Sequence, residues 1–326
     1  MKLPDNLKDT KTQALVIGAT FALFLLATFL AIPLLPILLG VVIAIEIFAF
    51  VGLEVKSGVK AHGWKNEIID TLIALAVAVF LWYGAGFLLN TETPVSGVVS
   101  CSMLPNLQRG DFVFVQGAEV RAYDIEMTSS QAESLNGPAH ITFGNESKTI
   151  PGSIFPYCVA GMGSPMCAEF VKNPSSFVEK KGAFTYRYER CPLTFKNGTQ
   201  AYQPCLKSVE FGGVEYLTNH SNDVIIFQPP SYDYYSVIGD IVHRTFFRVN
   251  VDGKYYYITR GDNNPFLDIQ AYDYGSGMMN RPVPEDYLRG KVIGRLPLLG
   301  YFKLFISGFF SADPQCETQL EYTHVG

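Results

Sequence analysis

Residues 14–55 are almost wholly apolar, and that run constrains the chain more than any other stretch. It is about twice the ~20 residues that one membrane-spanning helix requires. Pro33 and Pro36 interrupt it near its middle, and a proline cannot donate the amide hydrogen bond that a helix interior needs. The run therefore reads as a helical hairpin, 14–32 and 37–55, with a short turn between. A secretory signal would have a much shorter apolar core. A third apolar run covers 68–89, with Trp82 and Tyr83 toward its far end.

Direction follows from the basic residues. Lys2, Lys8 and Lys11 precede the first span, and Lys56, Lys60 and Lys65 lie between the second and third. Both sets are expected on the cytoplasmic side. That makes 1–13 a cytoplasmic N-terminus, 56–67 a cytoplasmic loop and everything after residue 90 extracytoplasmic. One long kinked helix over 14–55 is the alternative, and it would put the two lysine sets on opposite sides. Glu46 lies near the middle of the second span, where a carboxyl is costly unless protonated or paired. The plain reading is a neutral group packed between helices; a proton-transfer role is the other.

Basic and acidic residues balance before residue 90, so the net charge of −5 belongs to the later part. That argues against a nucleic-acid partner, because phosphate binding needs a basic surface. Residues 91–117 and 221–297 read as short strands. Those at 222–227, 240–251, 254–259 and 291–296 are rich in β-branched and aromatic residues and bounded by Gly, Pro, Asn or Asp. With no convincing helix in this part, the expected fold is membrane-anchored all-β: transmembrane helices 14–32, 37–55 and 68–89, then a β-domain formed by 90–117 and 221–302.

Residues 118–220 interrupt that domain as a loop-rich insertion, richer in Ser, Gly, Asn and Pro. They hold Cys158, Cys167, Cys191 and Cys205. Outside the cytoplasm four such cysteines read as two disulfides, with three connectivities open. A zinc site is the alternative, but the spacings lack CxxC pairs; no metal and no cofactor is expected. Asn145, Asn197 and Asn219 head N-x-S/T sequons, which is consistent with exposure outside. Residues 296–310 are apolar but short and carry Lys303. They read as a last strand followed by a lipid-touching interfacial tail, 303–326, with a fourth span as the other possibility.

Chemistry centres on 96–117. Ser102 falls in Ser100-Cys101-Ser102-Met103-Leu104-Pro105, between a short strand and Phe112–Val115. Such a serine is usually a turn residue; as a nucleophile it needs a base, and the base needs a carboxylate to hold it. The chain has five histidines. His62 is on the cytoplasmic side, His140 and His220 are in the insertion, and His324 is close to the chain end. His243 remains, in the strand GDIVHRTFF, and one strand later RGDNNPFLD supplies Asp262 and Asp268. Spacing alone does not choose between the two aspartates.

These segments together resemble the type I signal peptidases. SCSMLPNLQRGDFVFV is similar to their serine box, NDVIIFQPP to the following strand, IVHR to the histidine box, RGDNNPFLD to the GDNN box and KVIGRLPLLGY to the final strand. The five motifs run in the right order over most of 91–302, apart from the insertion, and the histidine of IVHR places the resemblance with the archaeal and endoplasmic-reticulum branch. The resemblance implies a membrane-bound serine endopeptidase that removes signal peptides from exported preproteins, at a cell membrane or reticulum-like membrane, with the export machinery as a possible partner. It implies Ser102 as nucleophile, His243 as general base, and Asp268 as the favoured third member with Asp262 as a second acidic residue. The Ser102 amide and the Ser100 hydroxyl would form the oxyanion hole. Cys101 stands where the family usually has glycine; were a positive φ required there, cysteine would be strained. Asn106 replaces a more usual small residue, and three spans replace the usual one. The insertion could cover the site, bind a partner or decorate the surface. Two other readings stay open: a related protease with another precursor, and a non-catalytic membrane paralogue acting as a binding subunit.

Overall fold

The structure, a computed structural model, describes residues 10–30, 35–160, 164–306 and 314–325. These fall into a helical unit and a β-rich unit. The expected N-terminal stretch 1–13 lies mostly outside the described residues, as do 307–313 of the expected tail.

The helical unit begins with α1 (Thr10–Phe29), α2 (Leu35–His62) and α3 (Trp64–Leu89). All three are long and apolar enough to cross a membrane, with mean hydropathies of 1.5, 2.5 and 2.3. α1 and α2 bury a few side chains, Phe24 and Ile43 among them, whereas α3 buries none of its residues and leaves Phe80, Phe87 and Leu88 largely exposed. A helix apolar all round has the pattern of a membrane span. α1 and α2 lie side by side, because Thr20 Oγ1 donates to Glu46 Oε1 at 3.1 Å. In one continuous helix those residues would be about 39 Å apart, so a single kinked span is not what forms. Pro36 is harmless in the first turn of α2, where its missing amide would be unpaired anyway. α2 runs on past the expected end at residue 55. Residues 56–62 contain no proline, so Lys56 and Lys60 are helical rather than in a loop. Gly63, at φ +79°, ends the helix by donating to Val59 O at 3.0 Å.

A short helix, α4 (Ser129–Ser134), and two more, α5 (Ile154–Ala160) and α6 (Pro165–Lys172), lie in the β-rich unit. The all-β expectation is therefore corrected: the chain combines apolar N-terminal helices with a β-rich domain that itself contains helices. The last helix, α7 (Gly300–Ile306), belongs to the helical unit, where Phe24 and Phe305 meet edge to face at 6.4 Å.

The strands in chain order are β1 (Val95–Gly97), β2 (Phe112–Gln116), β3 (Tyr123–Met127), β4 (Ala139–Phe143), β5 (Glu146–Ile150), β6 (Phe177–Lys181), β7 (Phe184–Phe195) and β8 (Gln200–Phe211). Then come β9 (Val214–Leu217), β10 (Val224–Phe227), β11 (Ile241–Val251), β12 (Lys254–Arg260), β13 (Val283–Pro284), β14 (Leu288–Leu296) and β15 (Thr318–Leu320). One sheet has the order β1-β2-β14-β10-β11-β12-β13, with β3 parallel to β11. The other runs β5-β4-β6-β7-β8-β9, with β15 on β7.

The second sheet overturns the loop-rich reading of 118–220. Phe184, Tyr186 and Tyr188 alternate inward on β7 and pack with Phe247 and Ile258 of the first sheet in one core. The alternation is masked by buried charges at Glu179 and Lys181, by a register shift between Arg187 and Tyr188, and by Pro192 and Pro204 inside paired strands. Prolines ordinarily argue against a strand. The tail expectation is also corrected: Thr318–Leu320 is not interfacial but pairs with Leu193–Phe195.

Cys158 bonds to Cys167, joining α5 to α6, and Cys191 bonds to Cys205 across β7 and β8. Sulfurs so bonded are not thiolate ligands for zinc. A third disulfide, Cys101–Cys316, ties the residue before Ser102 to the segment leading into β15. Cys101 is not at a positive φ, a conformation found among the described non-glycine residues at Asn90, Asp252 and Leu298. The conditional strain at this position does not arise.

Candidate active site

Ser102 sits in the bend between β1 and β2. Apolar anchors on both sides fix that bend: Val98, Met103 and Leu107 are buried against Val113, Val115 and Ile226. The Leu104–Pro105 peptide is cis. Behind the serine, the GDNN turn comes against its backbone. Asn263 N donates to Ser102 O at 2.7 Å, and a Cβ at Gly261 would stand only 2.5 Å from that oxygen. Glycine is required there by close approach.

His243 and Arg244 are consecutive in β11, so their side chains leave opposite faces of the strand. That separates the two aspartates. His243 Nε2 is 3.0 Å from Ser102 Oγ, and its Nδ1 is 2.6 Å from Asp268 Oδ2. Thr259 Oγ1 donates to the same carboxylate oxygen at 2.6 Å. Asp262 instead takes a two-pronged contact from Arg244, with both distances 2.7 Å, and a third bond from Asn106 Nδ2 at 2.7 Å. Asp262 does not reach the imidazole; it is a buried carboxylate neutralised by a guanidinium. Asn106, an oddity as sequence, is one of its donors. Ser100 Oγ lies 3.1 Å from Ser102 Oγ.

The structure thus brings Ser100, Ser102, His243 and Asp268 together and sets Asp262 beside them in a separate ion pair. Sequence reasoning missed Thr259 and Asn280. Asn280 Nδ2 donates to Asp268 O at 3.0 Å, while its Oδ1 accepts from Tyr235 N at 3.0 Å. It links the aspartate's turn to the segment around the short turn Tyr234–Val237. A threonine among tyrosines in KYYYIT reads only as a strand former, so no local signal marked it.

A cavity of about 250 Å³ opens over this group. Val98, Val99 and Ile238 give it apolar walls, and Ser100, Ser102 and His243 stand at its polar end. Tyr235 lines it too, its hydroxyl pushed well above the ordinary phenol range by burial, with the Asp268 charge adding to the effect. On the same segment, burial raises Asp233 to about 6.

The other histidines lie elsewhere. His140 pairs with Thr149 at 2.8 Å, and His324 with Glu189 at 2.5 Å. His220 has its pKa lowered by burial, and its carbonyl accepts from Arg244 at 2.8 Å. His62 is in the last turn of α2.

A buried serine, imidazole and carboxylate are thus linked in series by hydrogen bonds, in a β-rich domain of a chain with three membrane-length helices. No family model matches the chain. The chain is similar to the signal peptidase complex catalytic subunit SEC11 of Coccidioides posadasii (strain C735), at 22% identity over 242 residues, which cover 74% of this chain and 82% of that protein. This weak homology is in line with the resemblance to the type I signal peptidases.

Proposed function

We propose that this chain is a membrane-bound serine endopeptidase that cuts N-terminal signal peptides from exported preproteins. The observation that carries the reading is the series Ser102–His243–Asp268, with spacings of 3.0 and 2.6 Å, at the end of a cavity of about 250 Å³.

Asp268 can only accept, so Nδ1 of His243 carries the proton and Nε2 is left as the acceptor facing Ser102. The imidazole takes the Ser102 proton as Oγ attacks the scissile carbonyl, and later passes it to the leaving amine. Water then releases the acyl group by the reverse relay. The developing oxyanion is met by the Ser102 amide and the Ser100 hydroxyl; donors of this kind are worth about 3 kcal/mol when aimed at the transition state. Asp262 has a supporting role through Arg244.

The cavity suits small side chains next to the cut, and β1 ends its sheet, so an extended substrate docks most simply as an added strand. Membrane anchoring raises the effective concentration of a substrate whose own apolar segment is in the bilayer. We assign Lys56, Lys60 and Lys65 to the cytoplasmic side and the β-rich domain to the opposite side, in a cell membrane or a reticulum-like one. The export machinery is the expected neighbour.

The test is cleavage of a preprotein with an A-x-A site by the reconstituted wild type and by Ser102→Ala. Cleavage after the last alanine, lost in the variant, supports the reading. Cleavage by both removes Ser102 as nucleophile. Cleavage by neither, with no acylation of Ser102 by an active-site reagent, favours a binding subunit.

A further inference from the structure

The segment after residue 313 holds the serine bend directly through a disulfide, and indirectly through hydrogen bonds and a cation–π contact to residues 260–264 behind it. Cys316 is bonded to Cys101, the residue next to the nucleophile. Asn263 stands between the two segments. Its Nδ2 donates to Cys101 O at 3.2 Å and to Thr318 O at 3.0 Å, and its Oδ1 accepts from Leu320 N at 2.7 Å. Its own backbone N–H donates to Ser102 O at 2.7 Å. Tyr322 donates its hydroxyl to Asn264 O, and the Arg260 guanidinium lies 3.9 Å from the centre of its ring. β15 meanwhile pairs with β7, so the far side of this segment is held by the second sheet.

Of these contacts the disulfide and the Asn263 bonds reach Cys101 and Ser102, while Tyr322 braces Arg260 and Asn264 beside Asn263; none is made to a side chain of the relay. Ser102 Oγ has to stay 3.0 Å from His243 Nε2, and a misplacement of about 1 Å at a reacting group can cost roughly a hundredfold in rate. Cys101 is itself buried and Cys316 is partly exposed, so the disulfide ties the buried bend to a segment nearer the surface.

Resting on the peptidase reading above, we propose that residues 314–322 form a strap that positions the nucleophile, with Cys101–Cys316 as its covalent pin and Asn263 as the positioning residue. The second sheet is then part of the catalytic apparatus, because it anchors the strap. Turnover is also tied to an oxidising compartment. A dithiol that gives up two electrons and two protons converts the pin to two thiols, itself becoming a disulfide, and the bend loses its covalent tie.

The experiment uses the full chain in detergent. It compares wild type, Cys101→Ser/Cys316→Ser and Asn263→Ala. The readouts are kcat and KM on an A-x-A preprotein and hydrogen exchange at the Asn263 amide. Both variants should lose about tenfold to a hundredfold in kcat while KM stays within about twofold, with faster exchange at Asn263. Dithiothreitol should bring wild type down to the level of the double serine variant and leave that variant unchanged. Unchanged kcat in both variants overturns the strap as a positioning device, even if their thermal midpoints fall. A further fall of the double variant in dithiothreitol overturns the assignment to this disulfide and points to Cys158–Cys167 or Cys191–Cys205. Should the double variant not fold, Asn263→Ala and the reduction of folded wild type decide alone. If wild type cleaves nothing, the peptidase reading fails separately; exchange at Asn263 that is unchanged by reduction then overturns the strap as well.

Discussion

Asp268 Oδ2 accepts from both His243 Nδ1 and Thr259 Oγ1, each at 2.6 Å. The threonine and the imidazole share that one carboxylate oxygen, so the threonine helps to hold the carboxylate that in turn fixes the tautomer of His243. Asp268→Asn replaces an acceptor by a group that can present an N–H, which favours the wrong tautomer. It should lower kcat by about a thousandfold to ten-thousandfold. Thr259→Val removes one orienting bond and should cost much less. Single-turnover cleavage of the preprotein checks both.

Asp262 should behave differently, although it belongs to the same nine-residue segment. Its carboxylate is buried and faces Arg244 and Asn106. Asp262→Ala leaves a guanidinium half-buried without its counter-charge, a change that costs about 3 kcal/mol or more of stability. Denaturant unfolding should show a large loss, and whatever fraction stays folded should retain a measurable rate. A kcat defect as deep as that of Asp268→Asn, with normal stability, would reverse the two assignments.

The relay residues were legible because sequence-distant motifs carry them: Ser102 before Pro105, His243 in IVHR, and two aspartates in one turn-rich box. What distinguished the aspartates was strand alternation at His243 and Arg244, which becomes decisive only once β11 is paired. The second sheet was less legible. Glu179, Lys181, Pro192 and Pro204 are each poor strand signals, yet their neighbours Phe184, Tyr186 and Tyr188 alternate, and Asn197–Gly198 is a turn signal between two such runs. Cys101–Cys316 could have been suspected from arithmetic alone, as the two cysteines left once the insertion's four are paired. Asn280 gave no signal, since a lone asparagine after Met-Met reads as loop.

Glu179 holds a buried polar cluster together. Its carboxylate accepts from Tyr188 at 2.6 Å, Ser153 at 2.9 Å and the Ile154 amide at 3.0 Å. Gln270, two residues after Asp268, donates to Ser153 at 3.1 Å and Tyr188 at 2.9 Å. Burial raises the Glu179 pKa and lowers that of Lys181. Tyr188→Phe removes a donor to Glu179 and an acceptor for Gln270, at about 1–3 kcal/mol for the buried groups left unpaired. A lower thermal midpoint is expected. Combining it with Gln270→Ala should cost less than the sum, because the two share one bond.

Asp233 gives a pH signature. Burial raises its folded pKa to about 6 from the ordinary carboxylate value of 3.8, with the Arg281 amide as a weaker opposing contact. A raised carboxyl favours folding while protonated, so its contribution is full below about pH 4 and is lost as pH rises through about 6. Asp233→Asn should therefore be more stable than wild type at pH 7.5, by about 2 kcal/mol. The gap should close at pH 4. Denaturant midpoints at the two pH values measure this, and a gap that widens toward acid would contradict the assignment.

The proposed orientation can be checked where the chain tolerates change. Gly63 sits between α2 and α3 at a positive φ with open space around it, so a short epitope inserted there should not disturb either helix. Asn197 is exposed at the tip of the β7–β8 hairpin. With Lys56, Lys60 and Lys65 flanking Gly63, the positive-inside tendency holds that turn in the cytoplasm. The single span α3 then carries Asn197 to the other side. In intact cells or sealed vesicles an epitope at Gly63 should be shielded from added protease, and one at Asn197 should be lost. The reverse pattern would put the Ser102 site in the cytoplasm, away from emerging preproteins, and would leave the relay without the substrate proposed for it. Shielding at both positions, in a preparation where permeabilisation exposes both, would put Gly63 and Asn197 on the same side. Only α3 separates them in sequence, so that result would remove α3 from the membrane while leaving the geometry of Ser102, His243 and Asp268 untouched.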